Sequence, residues 1–213
     1  MIKRHKVFIS YYHKEDQQFK DYLVDANKYH FYDCEKNKYV SPFDDYSVGN
    51  GDIDDRNMSA EQIRRKIRDE YIGDATVLIL LCGENTKNRK YIDWEIHAAM
   101  SSEEGSKMGI VIINLPTIYG KQYVRVSCDS EKNIVSKNEN WIKLNTREEF
   151  EKAFPFMPSR IIDNFVKHIP ISVIDWIEIE NNPEKLMILI DNAFKRRDEI
   201  TYDYSKQLRR QNT

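Results

Sequence analysis

The run Ala75-Thr76-Val77-Leu78-Ile79-Leu80-Leu81-Cys82 constrains this chain more than any other stretch. It is almost continuously apolar, too short to span a bilayer, and closed by a polar turn at 83–88. A strand with one face in water alternates apolar and polar residues. An unbroken run needs cover on both faces, as a central parallel strand has. Parallel neighbours are joined by crossovers, so helices must alternate with strands on either side of it.

The remaining chain supplies those pieces. Residues 6–10 read as a short buried strand, and Phe19, Tyr22, Leu23 and Ala26 recur at helical spacing over 14–28. A second strand is expected at 39–43, ending in Asp44-Asp45, before a Gly- and Asp-rich loop at 46–57. Ser59 and Gln62 form a capping box ahead of a helix striped by Ala60, Ile63, Ile67 and Tyr71. A third helix over 89–102, a strand at 108–114, short helices at 147–153 and 160–168, and a strand at 171–176 follow. Pro183 opens the last helix, where its missing amide costs little.

Periodicity is lost over 116–158, which reads as an insertion or long loop with a hairpin near 123–126. The tail from 199 to 213 is polar, and Arg209-Arg210 is expected to be mobile. The sum is one α/β domain over 1–213. It is a doubly wound, flavodoxin-like sheet of about five parallel strands with an irregular insertion before the last.

Composition narrows the function. The 33 Lys+Arg against 35 Asp+Glu leave a net charge of −2, so nothing favours nucleic acid, whose binding rests on neutralised phosphates. Cys34, Cys82 and Cys128 are too scattered for a disulfide framework or a metal site, which points to a reducing cytoplasm. No apolar segment reaches the length of a secretory signal or a membrane span, so a soluble protein without membrane attachment is expected.

Ligands of such sheets bind beyond the carboxyl ends of the strands. The first such turn is Ser10-Tyr11-Tyr12-His13-Lys14-Glu15, which has no glycine for a dinucleotide pyrophosphate and is too bulky for a flavodoxin phosphate loop. A phosphorelay receiver needs acids at the end of the first strand and an acceptor aspartate after the third. Here those positions hold Ser10 and Glu84.

Three boxes, in order, carry a different resemblance. Phe8-Ile9-Ser10-Tyr11 resembles the opening box of TIR domains, and Phe43-Asp44-Asp45 with Val48-Gly49 resembles the second. Asn88-Arg89-Lys90-Tyr91-Ile92-Asp93-Trp94-Glu95-Ile96 resembles the helix bearing the catalytic glutamate of NAD⁺-cleaving TIR domains. The likeness is closest to the bacterial TIR-like group that includes the TIR subunit of Thoeris anti-phage systems, which shares a later Asp-Trp, here Asp175-Trp176. It implies an NAD⁺ nucleosidase or cyclase with NAD⁺ as substrate and no separate cofactor or metal. Self-association through TIR–TIR contacts, a phage-protein trigger and a downstream effector that senses the product are implied as partners. The alternative is a non-catalytic TIR-like adaptor or nucleotide-binding sensor working through homotypic contacts.

By the resemblance Glu95 is the catalytic carboxylate. On a helix, Ile92, Ile96 and Ala99 fall within about 60° of one another, and Glu95 lies about 60° to one side of their centre, on the border of the core. The competing reading is an ordinary solvated glutamate paired with a base. Ser10, Tyr11 and Tyr12 would wall the pocket, or the two tyrosines would pack under the neighbouring loop. Phe8 fits the core by pattern and the pocket by resemblance. Asp44 would reach ribose or serve a turn, Asn88 and Arg89 a pyrophosphate, with Asn88 also suited to cap the helix. Tyr91 shares the Glu95 column. Trp94 points about 160° from the stripe, an exposed anchor or one covered by the insertion. His13 and His97 read as surface residues, Arg64, Arg65, Lys66 and Arg68 as a solvated face, and Cys82 as a buried thiol.

Overall fold

The apolar run does form the centre of a sheet. In the computed structural model, residues 3–47, 58–101, 107–120, 123–136, 141 and 143–212 are described. Their main sheet is wholly parallel, in the order β4-β1-β5-β6-β7, from strands β1 (Lys6–Ser10), β4 (Asp44–Asp45), β5 (Val77–Cys82), β6 (Gly109–Asn114) and β7 (Ser172–Asp175). Every residue of β5 and β6 is buried, as a strand covered on both faces requires.

Two apolar layers provide that cover. One face packs Phe8, Leu78, Leu80 and Ile110 against α2 (Ala60–Lys66), α3 (Lys90–Met100), α5 (Arg147–Ala153) and α6 (Ser159–Val166). The other packs Val7, Ile9, Ile79 and Val111 against α1 (His13–Val24), α7 (Trp176–Ile179) and α8 (Pro183–Arg196). Successive side chains of β1 enter opposite layers, so Val7 to Ser10 are all buried. The helix α8 lies so close to β6 that a Cβ on Gly109 would meet the Ala193 carbonyl at 2.4 Å.

Several expected elements hold, and some move. The Ser59 capping box forms in both directions: Gln62 N donates to Ser59 Oγ and Ser59 N to Gln62 Oε1. The helix it opens widens into a π-helical turn at Ile67–Ile72 and stops at Gly73, with φ at +50°. The first helix ends at Val24, not 28, because Asp25 turns the chain by accepting from Asn27 N. The strand expected at 39–43 divides. β3 (Lys38–Val40) pairs antiparallel with β2 (Phe31–Asp33) in a separate hairpin, while the sheet takes Asp44–Asp45. Pro42, which lacks an amide, stands between the two. No hairpin forms at 123–126 among the described residues; Arg125 instead bridges Val173 at the edge of β7. The insertion carries α4 (Lys132–Val135) and α5, the latter opened by a Thr146–Glu149 capping box. Val48, Gly49 and the loop 48–57 lie outside the described residues, as do the side chains of Ala60, Arg64 and Tyr71.

The polar tail is the largest correction. Ile200, Tyr202 and Leu208 are buried, and the segment runs back across α3 and α6. Trp94 is fully buried beneath it, with Nε1 donating to Arg209 O at 2.7 Å, and His97 is buried against Tyr204. Trp94 is therefore covered by the tail rather than by the insertion or solvent, and Arg209 is held.

Candidate active site

At the carboxyl edge of the sheet, β1 ends with Ser10 opposite Leu80, and Cys82 stands opposite Asn114. After β5 the chain folds back at once. Gly83 N donates to Thr86 Oγ1 (2.8 Å), and that hydroxyl donates to Leu81 O (3.3 Å). The turn delivers Arg89 to the start of α3. Ile92, Ile96 and Ala99 bury one stripe of that helix against Phe8 and Leu80. Glu95 falls at the margin of the stripe and is half-buried.

Ser10 Oγ donates to Glu95 Oε2 at 2.6 Å. Burial pushes the Glu95 carboxyl up to about 7 from an ordinary 4.5, and the Ser10 bond opposes that rise by favouring the anion. A second contact joins the same two elements: the Arg89 guanidinium lies 3.8 Å over the Tyr12 ring. The turn after β1 and the helix α3 are thus tied twice at the strand exit.

The other expected residues divide. Tyr12, Arg89 and Ser10 accompany Glu95. Phe8 is 3 % exposed and belongs to the core, as a strand residue pointing to the α3 layer must. Tyr11 is 6 % exposed in the opposite layer, its hydroxyl donating to Gln17 and its ring stacked on exposed His13, so it is a packing residue. Asp44 is corrected out of the site: it registers with Lys6, at the amino end of β1, and pairs with Arg4. Asn88 closes a 3-10 turn at Thr86–Asn88, and Arg89, not Asn88, is the N-cap of α3. Tyr91 is half-buried with its ring edge-on to Trp94 at 5.1 Å.

Two further residues stand near the strand exits. Asp16 is 2 % exposed, and its carboxyl is pushed up to about 6, by burial first and Glu15 second. A Cβ on Gly83 would stand 2.8 Å from both its oxygens. Its signal was present, since Asp16, Phe19 and Leu23 share a helical face. Ser47 accepts from Ile9 N at 2.9 Å, beside the end of β1, a contact no local pattern announces. A shallow, solvent-open cleft lies between the exits of β5 and β6, lined by Cys82, Asn114, Tyr123 and the turn 153–157. Neither Ser10 nor Glu95 lines it. Among the described residues no group of three or more His, Cys, Asp or Glu side chains is placed to hold a metal ion, and no helix is long and apolar enough to cross a membrane.

A five-stranded parallel sheet with a serine closing β1 and a glutamate presented by α3 defines a TIR-like α/β protein. The family model "Thoeris protein ThsB, TIR-like domain" matches residues 8–118, just over half of the chain and all of the Ser10–Glu95 constellation. The chain belongs to that family of defence proteins. No curated protein and no solved structure matches it.

Proposed function

We propose that this protein cleaves the nicotinamide–ribose bond of NAD⁺ and releases an ADP-ribose-derived signal in anti-phage defence, with Glu95 as the catalytic carboxylate. The observation that carries the reading is the Ser10–Glu95 hydrogen bond at the strand exit, around a carboxyl kept partly out of water. Nicotinamide leaves uncharged from a cationic pyridinium, so no general acid is required. The ribose left behind is oxocarbenium-like, and an ionised Glu95 stabilises that charge in the transition state more than in the ground state. Partial desolvation strengthens this interaction.

Ser10 holds the carboxylate in position, and Arg89, braced on Tyr12, offers a guanidinium for the pyrophosphate. Water completes hydrolysis, giving ADP-ribose, nicotinamide and a proton. A substrate hydroxyl in its place gives a cyclic product. Family membership supports association with further TIR-like copies; a phage-derived trigger and an effector that senses the product complete the proposal.

The test is nicotinamide release by mass spectrometry, for wild type and Glu95→Gln, in lysate of phage-infected cells. Release by wild type alone supports the reading. Undiminished release by a folded Gln variant, or none by wild type, overturns it, and the second result favours an adaptor.

A further inference from the structure

The face of α3 opposite Glu95 is gripped from behind. Lys90, Asp93, Trp94 and His97 occupy an arc of α3 about 100° wide, centred about 150° from Glu95. The segment 199–212 lies along that arc. Trp94 Nε1 donates to Arg209 O (2.7 Å), Arg209 N to Asp93 Oδ2 (2.9 Å), and Lys90 N to Asn212 Oδ1 (2.9 Å).

The anchor beneath is Arg160 of α6, which has no exposed surface. Its guanidinium forks onto Asp93, from Nε at 3.0 Å and Nη2 at 3.1 Å. The remaining N–H groups reach main-chain carbonyls of the tail: Lys206 O at 2.9 Å, Tyr204 O at 3.3 Å and Gln207 O at 3.4 Å. All five donors of the fork are thereby engaged. Asn164 brackets Asp203, donating to its carbonyl and accepting from its amide, both at 2.9 Å. The contacts read backbone, so the tail is bound as an extended strap. It joins α6 to the one helix that carries Glu95.

We propose that residues 199–212 form a clamp that positions Glu95, with Arg160 as its positioning residue. The proposal rests on the reading of Glu95 as the catalytic carboxylate. A helix held by the strap behind and by Ser10 in front cannot turn about its axis. Without the strap, a rotation of about 20° carries a carboxylate roughly 5–6 Å from that axis through about 2 Å. A displacement of 1 Å costs on the order of 100-fold in rate. Neither Arg160 nor the strap touches the reacting atoms; they act through the rotation of α3.

The test uses the full chain with Leu208→Asp, which places a charge where the strap meets the core, and Leu208→Met as its conservative partner. Carbon-13 NMR of the Glu95 carboxyl, faced by the Ser10 hydroxyl, reports its titration midpoint. Exchange of the Trp94 indole N–H reports release of the strap. The expected result is faster exchange, a midpoint that falls from about 7 toward the ordinary range, and a tenfold to hundredfold loss of kcat with KM changed less than threefold, on the order set by such displacements. Leu208→Met restores all three. Trp94→Phe, which removes the indole bond together with part of a buried ring, moves the midpoint the same way and serves, read by the midpoint and kcat without the exchange probe, if Leu208→Asp does not fold. Faster exchange with an unmoved midpoint and kcat overturns the clamp. If wild type does not cleave NAD⁺, the proposed activity falls, and the midpoint alone still decides the clamp.

Discussion

Replacing Glu95 by Gln is expected to stabilise the protein above neutral pH while abolishing the proposed chemistry. The Glu95 carboxyl titrates at about 7 in the fold against an ordinary 4.5, so the folded state holds the proton more tightly than the unfolded chain. The stabilisation from this group is full below about 4.5 and is lost as pH rises through 7. At about 1.4 kcal/mol per pH unit the whole loss is about 3 kcal/mol, and the partial exposure of the side chain lowers this to about 2. A neutral Gln keeps an acceptor for the Ser10 hydroxyl and does not ionise. Urea denaturation at pH 4 should find the two proteins nearly equal, and at pH 8 the Gln variant more stable by about 2 kcal/mol. Asp16, also shifted upward, contributes a similar slope to both proteins and cancels in the difference. A constant offset between the two across that range would refute the claim that Glu95 is held in a drying environment.

Other outcomes follow from the same contacts. Ser10→Ala removes the bond that favours the Glu95 anion, so the acid limb of the NAD⁺-cleavage profile moves upward by roughly one pH unit, read from kcat/KM between pH 5 and 9. Gly109→Ala drives a Cβ into the Ala193 carbonyl and lowers stability by about 1–3 kcal/mol in denaturant unfolding. Alkylation of the native protein followed by peptide mapping finds Cys82 modified last, after exposed Cys34 and half-buried Cys128, since burial pushes the Cys82 thiol up to about 12.

Hydrophobic pattern made the sheet legible. The apolar run at 77–82, the stripe of α3 and Pro183 each specify an element by local physics, and the structure places them accordingly. The Ser10–Glu95 pair was reachable because each residue sits at a position fixed by its own element, a strand end and a helix boundary. What stayed hidden depends on partners far along the chain. Asp44 was read as a strand end, yet the sheet pairs it with Lys6, which moves it to the far edge. The tail reads as solvated because its composition is polar, but Ile200, Tyr202 and Leu208 seat it in the core, and its backbone carbonyls, which carry no sequence signature, take up Arg160 and Trp94. Trp94 and Arg160, large side chains with polar tips, are buried because that backbone satisfies them.

The central claim is that an ionised Glu95 at the exit of β1 drives nicotinamide release, and the pH dependence of kcat/KM on NAD⁺ tests it most directly. The account predicts a rate that climbs about tenfold per pH unit below about 7, then levels, and that vanishes in Glu95→Gln. A profile flat from pH 5 to 8, or one that survives the substitution, would contradict it.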